Sequence, residues 1–443
     1  MKTIATISTP LGSGAIGIVR MSGDKALEIA SSIFKTTQLK SFMDAKANYM
    51  YYGKIKTENF SDNILAVYFK APRSYTGEDV VELQCHGGVR LINEVLKTCI
   101  QKGAVIADKG EFTRRAFLNG KLALADCEGI IDMINGESLS ALKAGSRLMQ
   151  GKISKEIGDL QAKLLDSIAD LEASLDYPDE MQDESIMNCS IVLEQVGKEL
   201  KALLSTQKVG GYIKQGIAVG IVGQTNVGKS SLLNRLLGRE RAIVTDIAGT
   251  TRDSLEECLE YNGFMLRLID TAGIRNTEDV VEAIGVEKSL EIAKNSDITL
   301  FVSVNNRELN QDELNLLNEL EKAHAKVLKV FNKSDLGNVH SDGIAISAKH
   351  NQGLDELKQA IVETVVDQNV DMSGNVVTNE RHSYCIKNAI ESIQNAKANM
   401  DIAPVECTLV DLRQAYFELG KITGNSATED IIDSIFSKFC LGK

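Results

Sequence analysis

Residues 223–230, with the sequence GQTNVGKS, have a composition and spacing that suit phosphate binding. They match the P-loop pattern, and they lie between the strand-like run GIAVGIVG and the helix-like run KSSLLNRLLG, as that pattern requires. The glycines let backbone N–H groups close around phosphates, and the N-terminus of the next helix adds partial positive charge. Lys229 would contact the β- and γ-phosphates, and the Ser230 hydroxyl would bind Mg²⁺. The stretch predicts a nucleoside triphosphate site.

Four further stretches narrow the nucleotide to GTP. In DTAG, residues 270–273, Asp270 can hold the metal through water, and the Gly273 N–H can approach the γ-phosphate. TDIAGTTRD offers Thr250 and Thr251 to Mg²⁺ and the γ-phosphate, although Thr250 by itself could be an ordinary turn residue. In NKSD, Asp335 can accept both N–H donors on one edge of guanine, and adenine lacks that pair of donors. SAK, residues 347–349, is expected to lie against the base.

The predicted GTP-binding residues come from all five stretches, in chain order. They are Asn226, Val227, Gly228, Lys229, Ser230, Ser231, Thr245, Asp246, Ile247, Ala248, Gly249, Thr250, Thr251, Asp270, Thr271, Ala272, Gly273, Asn332, Lys333, Asp335, Ser347, Ala348 and Lys349.

The position after DTAG departs from the pattern of Ras-like GTPases. Those proteins place a water-orienting glutamine there, whereas this chain has Ile274, which cannot form a hydrogen bond through its side chain. Another group must orient the attacking water. The acidic residues of NTEDVVEAIG, namely Glu278, Asp279 and Glu282, are the candidates, and charge alone would equally describe a solvated loop.

Length and composition limit the class of protein. A chain of 443 residues is too long for one ordinary core, so two or three domains are expected. The net charge of −12 argues against a protein that coats nucleic acid by itself. Pro10 and several glycines interrupt the N-terminal stretch, so it lacks the apolar core of a signal peptide, and no later stretch reaches the length of a membrane span. The eight scattered cysteines include no CxxC pair, which indicates reduced thiols in the cytoplasm.

The positions of these motifs predict three kinds of structure. From about residue 216 to 367, apolar strand candidates alternate with helical patterns, which indicates a mostly parallel sheet with helices on both faces. Residues 119–215 and 368–443 carry the helical period, so we expect one all-α domain into which the α/β unit is inserted. Residues 1–118 mix strand-like and helix-like runs and are expected to form an α+β domain.

The C-terminal sequence EDIIDSIFSKFCLGK has a helical apolar stripe. From the spacing alone, Cys440 would be a small hydrophobic residue on the core side, and Gly442 would end the helix. The remaining positions of the stripe are Ile431, Ile432, Ile435, Phe436 and Phe439.

Several stretches together resemble one known family. The asparagine of the P-loop, VTDIAGTTRD, GEFTRRAFLNGKLAL and the closing FCLGK are similar to the MnmE (TrmE) family of tRNA-modification GTPases, along the whole chain. The resemblance implies an N-terminal folate-binding and dimerising domain, a helical domain and an inserted Ras-like G domain. It also implies a homodimer whose GTPase activity depends on K⁺.

The resemblance assigns roles within the G domain. It implies that Asn226 coordinates K⁺ with help from Thr245, Ile247 and Thr250, where other GTPases insert an arginine finger. It implies that Glu282 orients the water, which selects one of the three acidic candidates. Mg²⁺ is assigned to Ser230 and Thr251. Arg252, Asp253 and Arg275 match family positions in the switches.

The resemblance also assigns a folate site. Arg20, Glu82, Lys121 and Lys443 match the family's contacts to 5-formyl- or 5,10-methylene-tetrahydrofolate. From the residues alone, Arg20 and Lys121 would be surface charges and Glu82 a residue on an edge strand. Cys440 becomes a candidate functional thiol, with core packing as the alternative.

The implied reaction needs a partner. The resemblance implies a heterotetramer with the FAD-containing protein MnmG, which adds a (carboxymethyl)aminomethyl group to carbon 5 of the tRNA wobble uridine. The acidic net charge fits a partner that makes most of the tRNA contact. One alternative is a ribosome-assembly GTPase like Era or Der, but the chain has neither a second P-loop nor a basic RNA-binding tail. The other is a folate-dependent one-carbon transferase with a regulatory G domain.

Overall fold

The computed structural model describes residues 2–238, 257–269, 286–323, 325–337, 339–366, 374–400 and 402–442. The chain divides into two units. One contains residues 1–131, 148–165 and 416–443, and the other contains residues 132–147 and 166–415. The division along the sequence at residues 118, 215 and 367 stays a prediction.

The N-terminal part combines strands and helices, as expected for an α+β domain. Its elements are β1 (Ile4–Ile7), β2 (Gly14–Ser22), α1 (Ala26–Ile33), β3 (Phe34–Lys35), a short 3₁₀ helix (Phe42–Asp44), β4 (Met50–Lys56), β5 (Ser61–Phe69), β6 (Val80–Gly87), α2 (Val89–Gln101), β7 (Val105–Ile106) and α3 (Glu111–Leu118). The strands form one sheet in the order β3-β4-β5-β6-β2-β1-β7.

The helix α2 packs closely on this sheet. Val19 and Met21 of β2 are fully buried with Ile92 and Val95 of α2 in one apolar cluster. Gly17 permits the close approach, because a Cβ there would lie 2.4 Å from Ile92 Cδ1. The expectation that Glu82 lies on an edge strand is wrong, since β6 pairs with both β2 and β5.

Helices follow from residue 124 onwards, as the helical period predicts. They are α4 (Leu124–Asn135), α5 (Leu139–Met149), α6 (Lys152–Asp176), α7 (Pro178–Ser205) and α8 (Gln207–Gln215).

The next part alternates strands and helices. Its described elements are β8 (Ile217–Val222), α9 (Lys229–Leu236), β9 (Glu257–Tyr261), β10 (Phe264–Ile269), α10 (Val286–Lys294), β11 (Ile298–Val304), α11 (Gln311–Lys322), β12 (Val327–Asn332), β13 (Ile344–Ala345) and α12 (Leu354–Val365). The strand order is β13-β12-β11-β8-β10-β9, and all neighbours are parallel except β9 and β10. These two strands form a hairpin at Asn262 and Gly263, as their sequence predicts.

Helices cover both faces of this sheet, which confirms the predicted α/β architecture. On one face, Leu232 and Leu233 of α9 and Leu357 of α12 pack against Val219 and Leu300. On the other face, α10 and α11 contribute a second cluster with Val222 and Phe301. The strand β8, buried along its whole length, is therefore the rigid support of the P-loop that follows it.

Three helices complete the chain: α13 (Glu380–Asn399), α14 (Val405–Thr423) and α15 (Glu429–Phe436). In the described part of the chain, none of the helices combines the length and apolarity needed to cross a membrane. All eight cysteines lie among the described residues and are free thiols, as expected.

The predicted end of the last helix needs correction. The helix α15 ends at Phe436, six residues before Gly442. Ile432, Ile435, Phe436 and Phe439 are buried, but Cys440 is exposed, so its assignment to the core is wrong. The chain leaves the helical path after Phe436, which turns Cys440 away from the apolar stripe.

Candidate functional sites

The P-loop adopts the left-handed backbone that its sequence allows. Asn226 has φ 63° and Gly228 has φ 97°. Gly223 lies against β11, because a Cβ there would lie 2.2 Å from the Val302 carbonyl oxygen. A Cβ at Gly228 would lie 2.2 Å from Asn332 Nδ2. Both glycines are therefore required by close contacts with neighbouring strand ends, in addition to the turn itself.

The Lys229 side chain is held by the loop itself. Its Nζ donates to the carbonyl oxygens of Gly223 at 2.8 Å and Gln224 at 2.7 Å. Burial lowers the pKa of Lys229 from its usual value. A phosphate oxygen is a stronger acceptor than a carbonyl because it carries charge, so a nucleotide would draw this ammonium group out of its resting contacts.

Asn332 joins the P-loop to the two loops predicted to bind guanine. Its Nδ2 donates to the Val227 carbonyl oxygen at 2.9 Å. Its Oδ1 accepts from the backbone N–H groups of Lys333 at 2.8 Å and Ala348 at 3.1 Å. Lys333 adds a second link, because its Nζ donates to the Asn226 carbonyl oxygen at 2.9 Å. The structure thus brings together three of the five predicted stretches.

Asp335 is placed as an ionised acceptor. Ser347 Oγ donates to its Oδ1 at 2.6 Å, and this hydrogen bond is the main reason that its pKa lies below the usual value. His350 Nε2 lies 3.7 Å from its Oδ2 and also favours the charged form. An ionised carboxylate can accept two N–H groups, as guanine recognition requires.

Two contributors to this site were not found from the sequence. Arg235 on α9 donates from Nε to the Ala348 carbonyl oxygen at 2.9 Å and from a terminal nitrogen to the Lys349 carbonyl oxygen at 3.2 Å. His350 follows SAK directly, so its proximity to Asp335 could have been suspected. Nothing in the spacing indicates Arg235, because its partners lie more than a hundred residues away along the chain.

Ser230 and Ser231 lie in the first turn of α9, next to Lys229. Among the described residues, there is no group of three or more His, Cys, Asp or Glu side chains that could hold a metal ion. A P-loop metal site needs no such cluster, since it uses a hydroxyl and phosphate oxygens.

Several predicted site residues lie outside the described part of the chain. They are Thr245, Asp246, Ile247, Ala248, Gly249, Thr250, Thr251, Arg252, Asp253, Asp270, Thr271, Ala272, Gly273, Ile274, Arg275, Glu278, Asp279, Glu282 and Lys443.

A second polar site surrounds Arg20. Its Nε and one terminal nitrogen both bind Glu82 Oε1, at 2.8 Å and 2.7 Å, across the paired strands β2 and β6. The guanidinium lies 5.9 Å from the Tyr75 ring centre and 5.8 Å from that of Phe112. Burial raises the pKa of Tyr75. Arg20 is thus half-buried and held on several sides, so describing it as a surface charge is wrong.

The C-terminal tail reaches the Arg20 site of its own chain. The other terminal nitrogen of Arg20 lies 3.4 Å from the Gly442 carbonyl oxygen. Gly442 has φ 99°, and a Cβ there would lie 2.6 Å from the Ile7 carbonyl oxygen. The tail is therefore seated against the end of β1.

Lys121 lies against the loop that carries Tyr75. Its Nζ donates to the Pro72 carbonyl oxygen at 3.1 Å, and its side chain would contact a Cβ at Gly77. This lysine is exposed, as the sequence suggests. Three of the four residues that the resemblance assigned to folate are therefore linked. Arg20 and Glu82 pair across β2 and β6, and the loop that contains Pro72 and Tyr75 connects Arg20 with Lys121.

Comparison with known proteins gives matches along the whole chain. The family described as "GTP-binding protein TrmE N-terminus" matches residues 3–121, and the family described as "MnmE helical domain" matches residues 124–440. A protein of Acetivibrio thermocellus is 41% identical over 460 residues, with 100% of this chain and 99% of the relative covered. Proteins of Caldicellulosiruptor saccharolyticus, over 454 residues, and Geobacillus kaustophilus, over 460 residues, are each 40% identical with the same coverage. All three relatives are called tRNA modification GTPase MnmE.

Proposed function

Because the chain belongs to the MnmE family of tRNA modification GTPases, we propose that it hydrolyses GTP during modification of the tRNA wobble uridine in the cytoplasm. With the FAD-containing MnmG as partner, the reaction adds a (carboxymethyl)aminomethyl group to carbon 5 of that uridine. The main structural support for GTP binding is the set of hydrogen bonds made by Asn332, whose side chain holds the P-loop, NKSD and SAK at one site.

The base loops support GTP over ATP. The ionised Asp335 would accept the two guanine N–H groups, while Ser347 Oγ donates to its Oδ1 and His350 Nε2 lies 3.7 Å from its Oδ2. Adenine lacks this pair of N–H donors, so it could not form the two hydrogen bonds that Asp335 would make with guanine, which disfavours ATP.

The P-loop supports binding of the phosphates and metals. Lys229 is already aimed into the loop, and Ser230 follows it at the start of α9, where it would hold Mg²⁺ with Thr251. The exposed Asn226 would hold K⁺ together with Thr245, Ile247 and Thr250. When bound, these cations would supply positive charge that stabilises the negative charge on the β- and γ-phosphate oxygens in the transition state. Glu282 would orient the attacking water.

The Arg20 site has the donors and acceptors that a tetrahydrofolate needs. Both Arg20 contacts go to one oxygen of Glu82, which leaves Oε2 to accept from the pterin amine. Lys121 and Lys443 would bind the glutamate carboxylates of the 5-formyl or 5,10-methylene form. The seated tail supports a role for the C-terminus at this site. Cys440 is exposed and next to this tail, which keeps it a candidate functional thiol. A homodimer is part of the proposal.

The test compares three acidic residues of one segment. We expect Glu282→Ala to slow hydrolysis by about 100-fold or more while GTP affinity persists, because it removes the group that orients the water. Glu278→Ala and Asp279→Ala are the matched controls and should retain activity. Replacing K⁺ with Na⁺ should also slow hydrolysis markedly. Equal turnover of Glu282→Ala and the wild type would refute the catalytic assignment.

The wider function is tested in cells. Cells that lack this protein should contain tRNA with an unmodified wobble uridine, measured by nucleoside mass spectrometry. A fully modified position in those cells would refute the proposed function.

A further inference from the structure

The tip of the β9–β10 hairpin contacts the beginning of α5. Its two turn residues, Asn262 and Gly263, have φ 50° and 85°, as a tight two-residue turn requires. The Gly263 carbonyl oxygen accepts from the Ser140 N–H at 3.3 Å. Glu260 Oε1 accepts from the Leu139 N–H at 2.9 Å. Backbone and side chain of the hairpin thus both bind the first turn of this helix.

These two bonds complete the N-terminal cap of α5. The first four N–H groups of an α-helix, counted from the residue before its first helical position, have no partner within the helix. In α5, which begins at Leu139, the Ser138 Oγ accepts from one of them, the Ala141 N–H, at 3.1 Å. The Ser138 carbonyl oxygen accepts the first regular helical bond, from the Leu142 N–H, at 3.0 Å. The hairpin accepts from two more of these groups, the N–H groups of Leu139 and Ser140. The N-terminus of α5 is therefore capped in part by Ser138 and in part by a distant strand pair.

The contact is close as well as polar. A Cβ at Gly263 would lie 2.4 Å from Ser140 Oγ, so the turn and the helix touch directly. Ala141 is buried in the apolar cluster that also contains Phe264 of β10, and Tyr261 of β9 packs against that cluster. A shift of the hairpin by about 1 Å would lengthen both capping bonds past the range of a good hydrogen bond.

The hairpin is continuous with both segments that are predicted to sense the nucleotide. Along the chain, β9 follows TDIAGTTRDSLE, and β10 ends at Ile269, directly before DTAG. β10 also pairs in parallel with β8, which leads into the P-loop. Only five and six residues of strand separate these segments from the turn that caps α5.

We propose that the β9–β10 hairpin reports the nucleotide state to α5 by making or loosening its cap. The two states are a capped and a frayed first turn of α5, and Glu260 and Gly263 are the positioning residues. This proposal rests on the proposed GTPase function. The hairpin would couple GTP hydrolysis to the helical part of the protein. Neither Glu260 nor Gly263 takes part in the hydrolysis itself.

The test measures amide hydrogen exchange in residues 138–146 of the full chain, with GDP and with a non-hydrolysable GTP analogue. We expect the first turn of α5 to differ by about fivefold in protection between the two nucleotides, the size of one hydrogen bond. Glu260→Ala should abolish this difference, whereas Glu260→Gln keeps an acceptor and should retain it. Leu139→Pro removes the N–H group that donates to Glu260, and proline is well tolerated at the first position of a helix.

GTP hydrolysis and wobble-uridine modification are measured for the same proteins. Glu260→Ala and Leu139→Pro should hydrolyse GTP within about twofold of the wild type yet lose most tRNA modification. Lys143→Ala, an exposed position on the same helix, is the matched control and should retain both. Identical exchange of wild-type α5 with both nucleotides, or full modification by Glu260→Ala, would overturn the proposal. A wild-type protein that failed to hydrolyse GTP would instead refute the proposed function.

Discussion

Replacing Gly228 with alanine should weaken GTP binding sharply. The added methyl group would lie 2.2 Å from Asn332 Nδ2, far inside contact distance. Asn332 has no room to move without loss, because its side chain makes three hydrogen bonds that join the P-loop to the base loops. The φ of 97° is a second obstacle, since residues with a Cβ rarely adopt it.

The size of the effect follows from these two contacts. A left-handed backbone costs a residue with a Cβ about 1–2 kcal/mol. Displacing Asn332 Nδ2 leaves a buried donor or acceptor unpaired, at about 1–3 kcal/mol. Together these come to about 2–5 kcal/mol, which corresponds to an increase of about 30-fold to 4,000-fold in the dissociation constant. If the nucleotide-free variant already adopts the strained loop, the same free-energy cost reduces the stability of the folded protein and lowers its melting temperature.

The assay is titration of a fluorescent GDP analogue at fixed Mg²⁺, with thermal unfolding measured on the same samples. Gly211→Ala is the matched control, because a Cβ there meets no atom within 4 Å and lies inside α8. That variant should bind normally and gain about 0.4–1 kcal/mol of stability. A Gly228→Ala protein that binds within threefold of the wild type and melts at the same temperature would refute this reasoning.

Three further predictions use other sites. Asp335→Asn should weaken GTP binding by at least about 100-fold and shift preference towards XTP, whose C2 oxygen accepts a hydrogen bond; an unchanged preference in competition binding would contradict the guanine assignment. Burial raises the pKa of Asp126 despite hydrogen bonds from Ser154 and the Ala123 N–H, so its stabilising contribution is full at low pH and declines as pH rises from about 4 through the raised pKa. Urea unfolding of the wild type against Asp126→Asn between pH 4 and 7 should show that decline, and parallel curves would count against it. Gly442→Ala should unseat the tail and weaken tetrahydrofolate binding by about tenfold, with GTP hydrolysis unchanged; normal folate binding in equilibrium dialysis would exclude the tail from that site.

The parallel sheet and its hairpin were predictable because their signals are local. The run GIAVGIVG is apolar throughout, as a strand buried on both faces must be, and it became β8. The turn at Asn262 and Gly263 needs two left-handed residues, and few other residue pairs allow that backbone. Such features are specified by neighbouring residues, so a linear pattern is enough to find them.

The C-terminus shows where periodicity stops being informative. The stripe from Ile432 to Phe439 correctly predicted burial, but the same period placed Cys440 in the core. The helix ends at Phe436, and the chain then follows its contacts with β1, where Gly442 fits against Ile7. A periodic pattern does not indicate where a helix ends and the chain begins to pack against another segment.

By itself, the sequence indicated the fold class, and it located the loops that we assign to phosphate and guanine binding, since each depends on residue types within a few positions of one another. Only the tertiary structure decided that Arg20 is held by Glu82, that Arg235 supports the SAK loop, and that a hairpin caps α5. Each of these contacts joins residues that lie roughly sixty or more positions apart in the chain. Their approach depends on the packing of whole elements, and no local pattern records it.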